Sequence, residues 1–580
     1  MSQPGLLELG LLPLPPEGSP PRFVLGAGPE VSRVRLRVAP DGEEELHEMR
    51  REPDGFALVY RPPHANLRYR FMVDLADGRR FNLNAAGLCA HEPLDRFDFT
   101  LARLGPAWAR EAIWYQIFPD RFAVGDPSLA VKDGELRWRG HPSRKLPFET
   151  PPVPYRELRC LDFRGGDLVG VRQRLDHLAE LGVNAIYLNP IHPALTNHRY
   201  DVCDYEAVDP HLGGEGALAA LSEAMHARGM RLILDAVINH CGSGHRWFNR
   251  EGLYAAPGAF QDPASPHAEF FNFTSRNPTR YAGWKGIDLL PRLDFRSAKL
   301  REALWGERGA LRKWLRPPFA VDGYRFDVAN MVGRAGAQQL HVEIWRELAA
   351  ALCAEREAYL VGEHWFDPAE IVGPERLHGA IDMLGFAFPV RRFLTGRARD
   401  GAPATLDGPT LARQMLETHA ASQGALGMTA VNNHDLARLQ SSASPEAFRA
   451  ATGLQLFWPG APSIYYGDEV GLAGGEDPDN RRSMNWDRGS WDERAFACVK
   501  EGIARRRGSE ALRDGLLVGL GAGSDWAAFA RVGVREVAVA VLTRSTCRVE
   551  LPLERWGLPC FSRELSGPSC HLELHRRAAR

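Results

Sequence analysis

No run of about eighteen consecutive apolar residues occurs in the 580-residue chain, so no membrane-spanning helix is expected. The stretch Met1–Pro21 has neither Lys nor Arg, contains Glu8 and Glu17 and is broken by prolines, which is not the pattern of a secretory signal. Cysteine is sparse and unpaired in its spacing. Cys89, Cys160, Cys203, Cys241, Cys353, Cys498, Cys547, Cys560 and Cys570 make an odd nine with no Cys-x-x-Cys, which predicts reduced thiols, a cytoplasmic setting and no zinc site. A basic excess is missing too: 71 Lys and Arg against 73 Asp and Glu give a net charge of -2. That balance gives no electrostatic footprint for nucleic acid or an anionic membrane surface, and a neutral substrate fits better. There is no internal repeat, and no low-complexity segment beyond the proline-rich N-terminus.

What remains is ordinary globular composition, 44% hydrophobic and 25% charged, enough to bury a sizeable core. From Pro21 to Leu104 short alternating runs, such as Val34–Val38, Gly55–Tyr60 and Leu67–Val73, are punctuated by turn signals at Pro40-Asp41-Gly42 and Ala76-Asp77-Gly78. This predicts an N-terminal β-sandwich over residues 1–105. After Pro106 strand-like runs alternate with amphipathic helical stretches, the pattern of a parallel α/β sheet or barrel. Eight candidate strands, at Ala112–Phe118, Ala185–Leu188, Arg231–Val237, Ala320–Phe326, Tyr359–Gly362, Ala380–Leu384, Gly427–Asn432 and Pro462–Tyr466, predict a (β/α)8 TIM barrel over 106–510. Helices are expected at Asp167–Leu181, Gly216–Arg228, Ser297–Leu315, Gln338–Glu357, Thr410–Ala421, Pro445–Phe457 and Trp491–Arg507. The interval 241–296 is too long for a simple βα loop and is expected to form a small subdomain walling a cleft. Alternating runs return from about Gly515 and predict a C-terminal β-sandwich over 511–580.

Side chains two apart on a strand share a face, so in Val321-Asp322-Gly323-Tyr324-Arg325-Phe326-Asp327 the guanidinium of Arg325 and the carboxyl of Asp327 project together. A positive charge so close is expected to lower the pKa of Asp327 and keep it ionised. Alone, such a pair reads as a surface ion pair. It has company at other strand ends, where barrels carry their chemistry: Asp235, Asn239 and His240 at the end of the third, Glu363 and His364 after the fifth, His434 and Asp435 after the seventh. Ionisable groups in mutually perturbing surroundings concentrate at functional sites.

These segments resemble the signature regions of the α-amylase family of glycoside hydrolases, together with Trp114-Tyr115-Gln116-Ile117-Phe118-Pro119-Asp120-Arg121-Phe122, His198-Arg199-Tyr200-Asp201 and Ile464-Tyr465-Tyr466-Gly467-Asp468-Glu469. The resemblance implies that Asp327 is a nucleophile, Glu363 a general acid/base and Asp435 a stabiliser of the transition state. It also implies a substrate-binding set of Tyr200, Asp235, His240, Arg325 and His434. Tyr200 would stack on a sugar ring, His240 and His434 would donate to its hydroxyls, and Asp235, with Asn239, would brace the site from behind. Arg325 would keep Asp327 charged, leaving the transferable proton to Glu363 beside Trp365.

Glu363-His364-Trp365, Leu290-Pro291-Arg292-Leu293-Asp294-Phe295 and Phe457-Trp458-Pro459-Gly460-Ala461-Pro462 look most like maltodextrin glucosidase, with neopullulanase and cyclomaltodextrinase next. The implied activity is retaining hydrolysis of α-1,4 links in short maltodextrins. Transfer to a sugar acceptor is an alternative the same residues would serve, and a non-catalytic carbohydrate-binding protein a remote one. No cofactor is required. The loop Phe122–Pro127 lacks most of the Asn and Asp residues that form a calcium site in several relatives, and a hard cation needs about six or more oxygen ligands, which argues against calcium there. The expected partner is an α-glucan oligosaccharide, and the resemblance leaves open a homodimer in which the N-terminal module covers a partner's active site. Met331 stands on the substrate wall beyond the nucleophile where the family often has a Glu or His, and Val328 occurs both in family members cutting α-1,4 bonds and in others cutting α-1,6 bonds.

Overall fold

The computed structural model describes residues 9–11, 20–39, 43–53, 55–63, 66–85, 87–95, 98–102, 104–274, 280–422, 425–533, 535–551, 553 and 558–576. The turn expected at 40–42 lies outside them. Eight parallel strands form one sheet: β1 Trp114–Ile117, β2 Ala185–Leu188, β3 Arg231–Ala236, β4 Gly323–Phe326, β5 Tyr359–Gly362, β6 Gly379–Ala380, β7 Met428–Thr429 and β8 Ala461–Tyr465. Their order is β6-β5-β4-β3-β2-β1-β8-β7. A parallel bridge from Ile381 to Met428 joins the last to the first and closes the barrel. All four residues of β1, β2, β4 and β5 are buried, as strands must be when a parallel sheet is covered on both faces.

Two expected elements differ in a way that follows from local chemistry. The sixth strand is two residues long, because Asp382 accepts a hydrogen bond from Gly385 N at 2.9 Å and turns Met383–Ala387 into a π-helical segment. The helix expected over Ser297–Leu315 is two, Ala298–Trp305 and Ala310–Leu315, separated at Gly306. Pro445–Phe457 is one helix, started by Ser444 accepting from Ala447 N and by Pro at its first position.

Antiparallel sheets flank the barrel on both sides of the chain. The N-terminal pair consists of a four-stranded sheet (Leu9–Leu11, Arg22–Gly26, Gly55–Val59, Arg50–Glu52) and a six-stranded sheet built on Val31–Ala39 and Asn66–Leu75. The C-terminal unit has a four-stranded sheet, Leu516–Gly523, Trp526–Val532, Glu536–Thr543 and Ser569–Arg576, and a hairpin-like pair, Cys547–Leu551 with Phe561–Leu565. The two units share a core: Phe71, Phe81 and Leu83 belong to the same buried cluster as Val518, Val539 and Leu551, and Gly519 N donates to Ala85 O at 3.0 Å. The N-terminal sheets are therefore packed onto the C-terminal ones rather than tethered loosely. Among the described residues, no helix is long and apolar enough to cross a membrane.

Candidate active site

The C-terminal ends of the strands open into a cleft of about 750 Å³ lined by His198, Tyr200, His240, Asp327, Glu363, His434 and Asp435. A volume in the range of about 300–1,000 Å³ is that of ligand pockets. Six of the eight residues expected from sequence thus meet on this surface. Asp235 and Arg325 do not line it; they lie beneath its floor, 2% and 1% exposed.

The floor follows from strand register. Asp235 on β3 pairs directly with Arg325 on β4, so their side chains meet inside the barrel. Arg325 Nη1 donates to Asp235 Oδ1 at 2.8 Å and to Asp327 Oδ1 at 2.9 Å, and Nη2 lies 2.9 Å from Glu363 Oε2. One guanidinium thus serves three buried carboxyls through its two terminal nitrogens. Tyr187 and Tyr200 add hydroxyl hydrogen bonds to Asp235 Oδ2 at 2.7 and 2.8 Å.

This sharing overturns the expectation that Arg325 alone holds Asp327 below the usual carboxylate range. Burial pushes the Asp327 carboxyl well up; Arg325 opposes that, but Glu363 and Asp235 add to it. Attack needs the carboxylate, so kcat/KM is expected to fall as pH drops through this raised pKa. The acid limb of the pH profile should lie above the ordinary Asp value of about 3.9. A limb at or below that value would contradict the shift.

Val328, immediately after Asp327, has φ 46°. A β-branched residue in the left-handed region is strained by about 1–3 kcal/mol. The turn it makes aims Val328 N at Glu363 Oε2, 2.9 Å away, and Trp365 Nε1 donates to Glu363 Oε1. Glu363 follows the last residue of β5 and is held by these two hydrogen bonds and by its ion pair with Arg325.

On the far wall, Gln116 Nε2 donates to His434 Nδ1 at 2.8 Å, which leaves the proton on Nε2, 2.7 Å from the Tyr200 hydroxyl and 3.2 Å from Asp435 Oδ2. Burial, then Arg481 and Arg325, lower the pKa of His434, so it is neutral. Both ring nitrogens have partners within the protein, so the donation to a ligand hydroxyl expected of Nε2 would be shared with the Tyr200 hydroxyl. Its ring stacks on Tyr200 at 5.3 Å and 12°, fixing that aromatic face in the cleft. At His240, Asn239 Nδ2 donates to Nδ1 at 3.2 Å, and among the described residues its buried Nε2 has no partner. Burial lowers its pKa to about 3, so Nε2–H is a neutral donor for a ligand hydroxyl.

Sequence reasoning did not find Arg481, in a charged segment after β8 that reads as a solvated loop. It is buried, donates from Nε to His434 O at 2.9 Å and from Nη2 to Asp477 at 2.9 Å, and reaches Asp435 Oδ1 at 3.5 Å. Trp284, Lys285, Leu289 and Leu290 of the 241–296 excursion form the opposite lip. Only their length of loop was legible beforehand. Among the described residues no group of three or more His, Cys, Asp or Glu is placed to hold a metal. In the Phe122–Pro127 region Asp167 instead accepts from Gly125 N, Asp126 N and Gly170 N, at 2.9, 2.9 and 2.6 Å.

Residues 116–502 match the family model described as "Alpha amylase, catalytic domain". A cyclomaltodextrinase from Geobacillus thermopakistaniensis is 29% identical over 517 residues, 86% of this chain and 81% of the relative. Neopullulanase 2 from Thermoactinomyces vulgaris is 33% identical over 414 residues, 71% of this chain and 65% of that one. In three dimensions the ligand-free cyclic α-maltosyl-(1→6)-maltose hydrolase of Arthrobacter globiformis superposes with a TM-score of 0.70 at 29% identity, over 82% of this chain and all of the other. With the closed barrel, the strand-end carboxyls and this match in agreement, the chain belongs to the α-amylase family of glycoside hydrolases.

Proposed function

We propose that the protein is a retaining hydrolase of α-1,4 links in short maltodextrins, linear and cyclic, with Asp327, Glu363 and Asp435 as its catalytic residues. The observation that carries the reading is the clamp of Asp327 and Glu363 on adjacent nitrogens of one guanidinium, at the floor of a cleft of about 750 Å³. Ionised Asp327 attacks the anomeric carbon, the glycosidic C–O bond breaks, and the proton of Glu363 passes to the leaving oxygen. Glu363 then takes a proton from water, whose oxygen attacks the same carbon and releases Asp327. Asp435 and His240 hold hydroxyls of the distorted ring, through bonds that strengthen as positive charge develops.

The likeness to relatives named cyclomaltodextrinase and neopullulanase supports including cyclic dextrins and pullulan among the substrates. The Glu363-His364-Trp365 motif favours the second reading, a maltodextrin glucosidase. Product chromatography from maltotriose, maltoheptaose, β-cyclodextrin and pullulan separates them. Opening of β-cyclodextrin at a rate comparable to maltoheptaose supports the first; glucose from maltotriose with β-cyclodextrin untouched supports the second. No product from any of the four rejects both.

A further inference from the structure

Trp365 has a neighbour that the chemistry above does not use. The guanidinium of Arg399 lies 4.0 Å from the centre of its indole ring, and the ring of Phe388 lies 5.8 Å away on the same wall of the cleft. Arg399 is exposed and belongs to the segment between the helices Phe388–Thr395 and Gly408–Ala421, remote in sequence from the strand ends. Among the described residues no carboxylate pairs with it, so the indole face is its main partner. A planar guanidinium suits that face in a way a lysine ammonium does not.

The indole matters because of where the proton on Glu363 must sit. Oε2 accepts from Val328 N and lies 2.9 Å from the cationic Nη2 of Arg325, and both contacts favour an unprotonated oxygen. The transferable proton therefore rides on Oε1, the oxygen that Trp365 Nε1 addresses. The direction of that one N–H sets the direction of the acid. We propose that Arg399 is a positioning residue for catalysis: by stacking on Trp365 it fixes the indole whose N–H aims Oε1 of Glu363 at the glycosidic oxygen. The inference rests on the reading of Glu363 as the acid.

A misaimed acid harms only substrates that need a proton on the leaving group. The test is kcat/KM for maltotriose and for 2,4-dinitrophenyl α-glucoside, whose phenolate departs unprotonated, in wild type, Arg399→Gln, Trp365→Phe and the double variant. Thermal melting checks that each variant folds. Arg399→Gln is expected to lose about three- to tenfold on maltotriose and less than about twofold on the aryl glucoside, since small misplacements are costly in the proton-transfer step. Arg399→Lys, which keeps charge but not the planar stack, should show most of the same loss. In the Trp365→Phe background, where no N–H remains to aim, Arg399→Gln should add nothing. An equal loss on both substrates, no loss, or an undiminished loss in the Trp365→Phe background overturns the inference. Glu363→Gln is the control: if it too falls equally on both substrates, the acid assignment itself fails, whatever Arg399→Gln does.

Discussion

Asp327→Asn is expected to lower maltotriose hydrolysis by about four orders of magnitude or more, because the amide can accept from Arg325 but cannot form the covalent intermediate. Asn keeps the shape and the contact with Arg325 Nη1, 2.9 Å from Oδ1 in the native protein. It also takes away one of the three ionisable carboxyls crowded on a single cation. The variant should therefore melt no lower than wild type, and the loss cannot be ascribed to unfolding. Product chromatography against a calorimetric scan measures both. Activity within about tenfold of wild type, a difference of only about 1.4 kcal/mol in barrier, would sink the nucleophile assignment. Proton NMR of the first product gives an independent check, since the double displacement releases the α-anomer first.

Arg325→Met should be the most damaging change that touches no substrate. It leaves the buried carboxyls of Asp235, Asp327 and Glu363 without their common counter-charge, and removing one partner of a buried pair costs about 3–5 kcal/mol. The sign with pH can be worked out. Burial already raises Asp235 and Asp327, with Arg325 opposing, so its loss raises both further. A carboxyl whose folded pKa lies above its unfolded value contributes stability that is present below the unfolded pKa and lost as pH rises through the folded one. The deficit of the variant should be larger at pH 8 than at pH 5, and the acid limb of its residual kcat/KM should move to higher pH. A melting difference independent of pH, or a limb that stays in place, would show that Arg325 is not the charge that balances the floor.

Much of this molecule is legible in its sequence because the signals are local. Short continuous apolar runs such as Ala185–Leu188 and Tyr359–Gly362 fall on β2 and β5 to the residue, and Ser444-Pro445 starts its helix by cap chemistry that needs no tertiary help. The acids at the strand ends are readable for the same reason: each follows a hydrophobic run, and a barrel sends every such end to one rim. The sixth strand was overextended because Ala380, Ile381, Met383 and Leu384 are apolar around the single Asp382, and so short a run does not distinguish a strand from a buried turn of helix. Arg481, Trp284 and Lys285 were invisible because they lie in loops, whose composition is polar whether they face solvent or a ligand.

The sequence by itself determined the barrel, its flanking sheets and the identity of the carboxyls at the cleft, since these depend on patterns a few residues long. Only the tertiary structure decided the balance among those carboxyls. A strand shows Arg325 beside Asp327; it does not show that β3 and β5 bring Asp235 and Glu363 to the same guanidinium. Charge and burial act through space rather than along the chain, so a lone ion pair predicts a lowered pKa, whereas one cation shared by three buried acids leaves Asp327 raised. The same holds for Arg399 and Trp365, 34 residues apart in sequence and stacked at 4.0 Å.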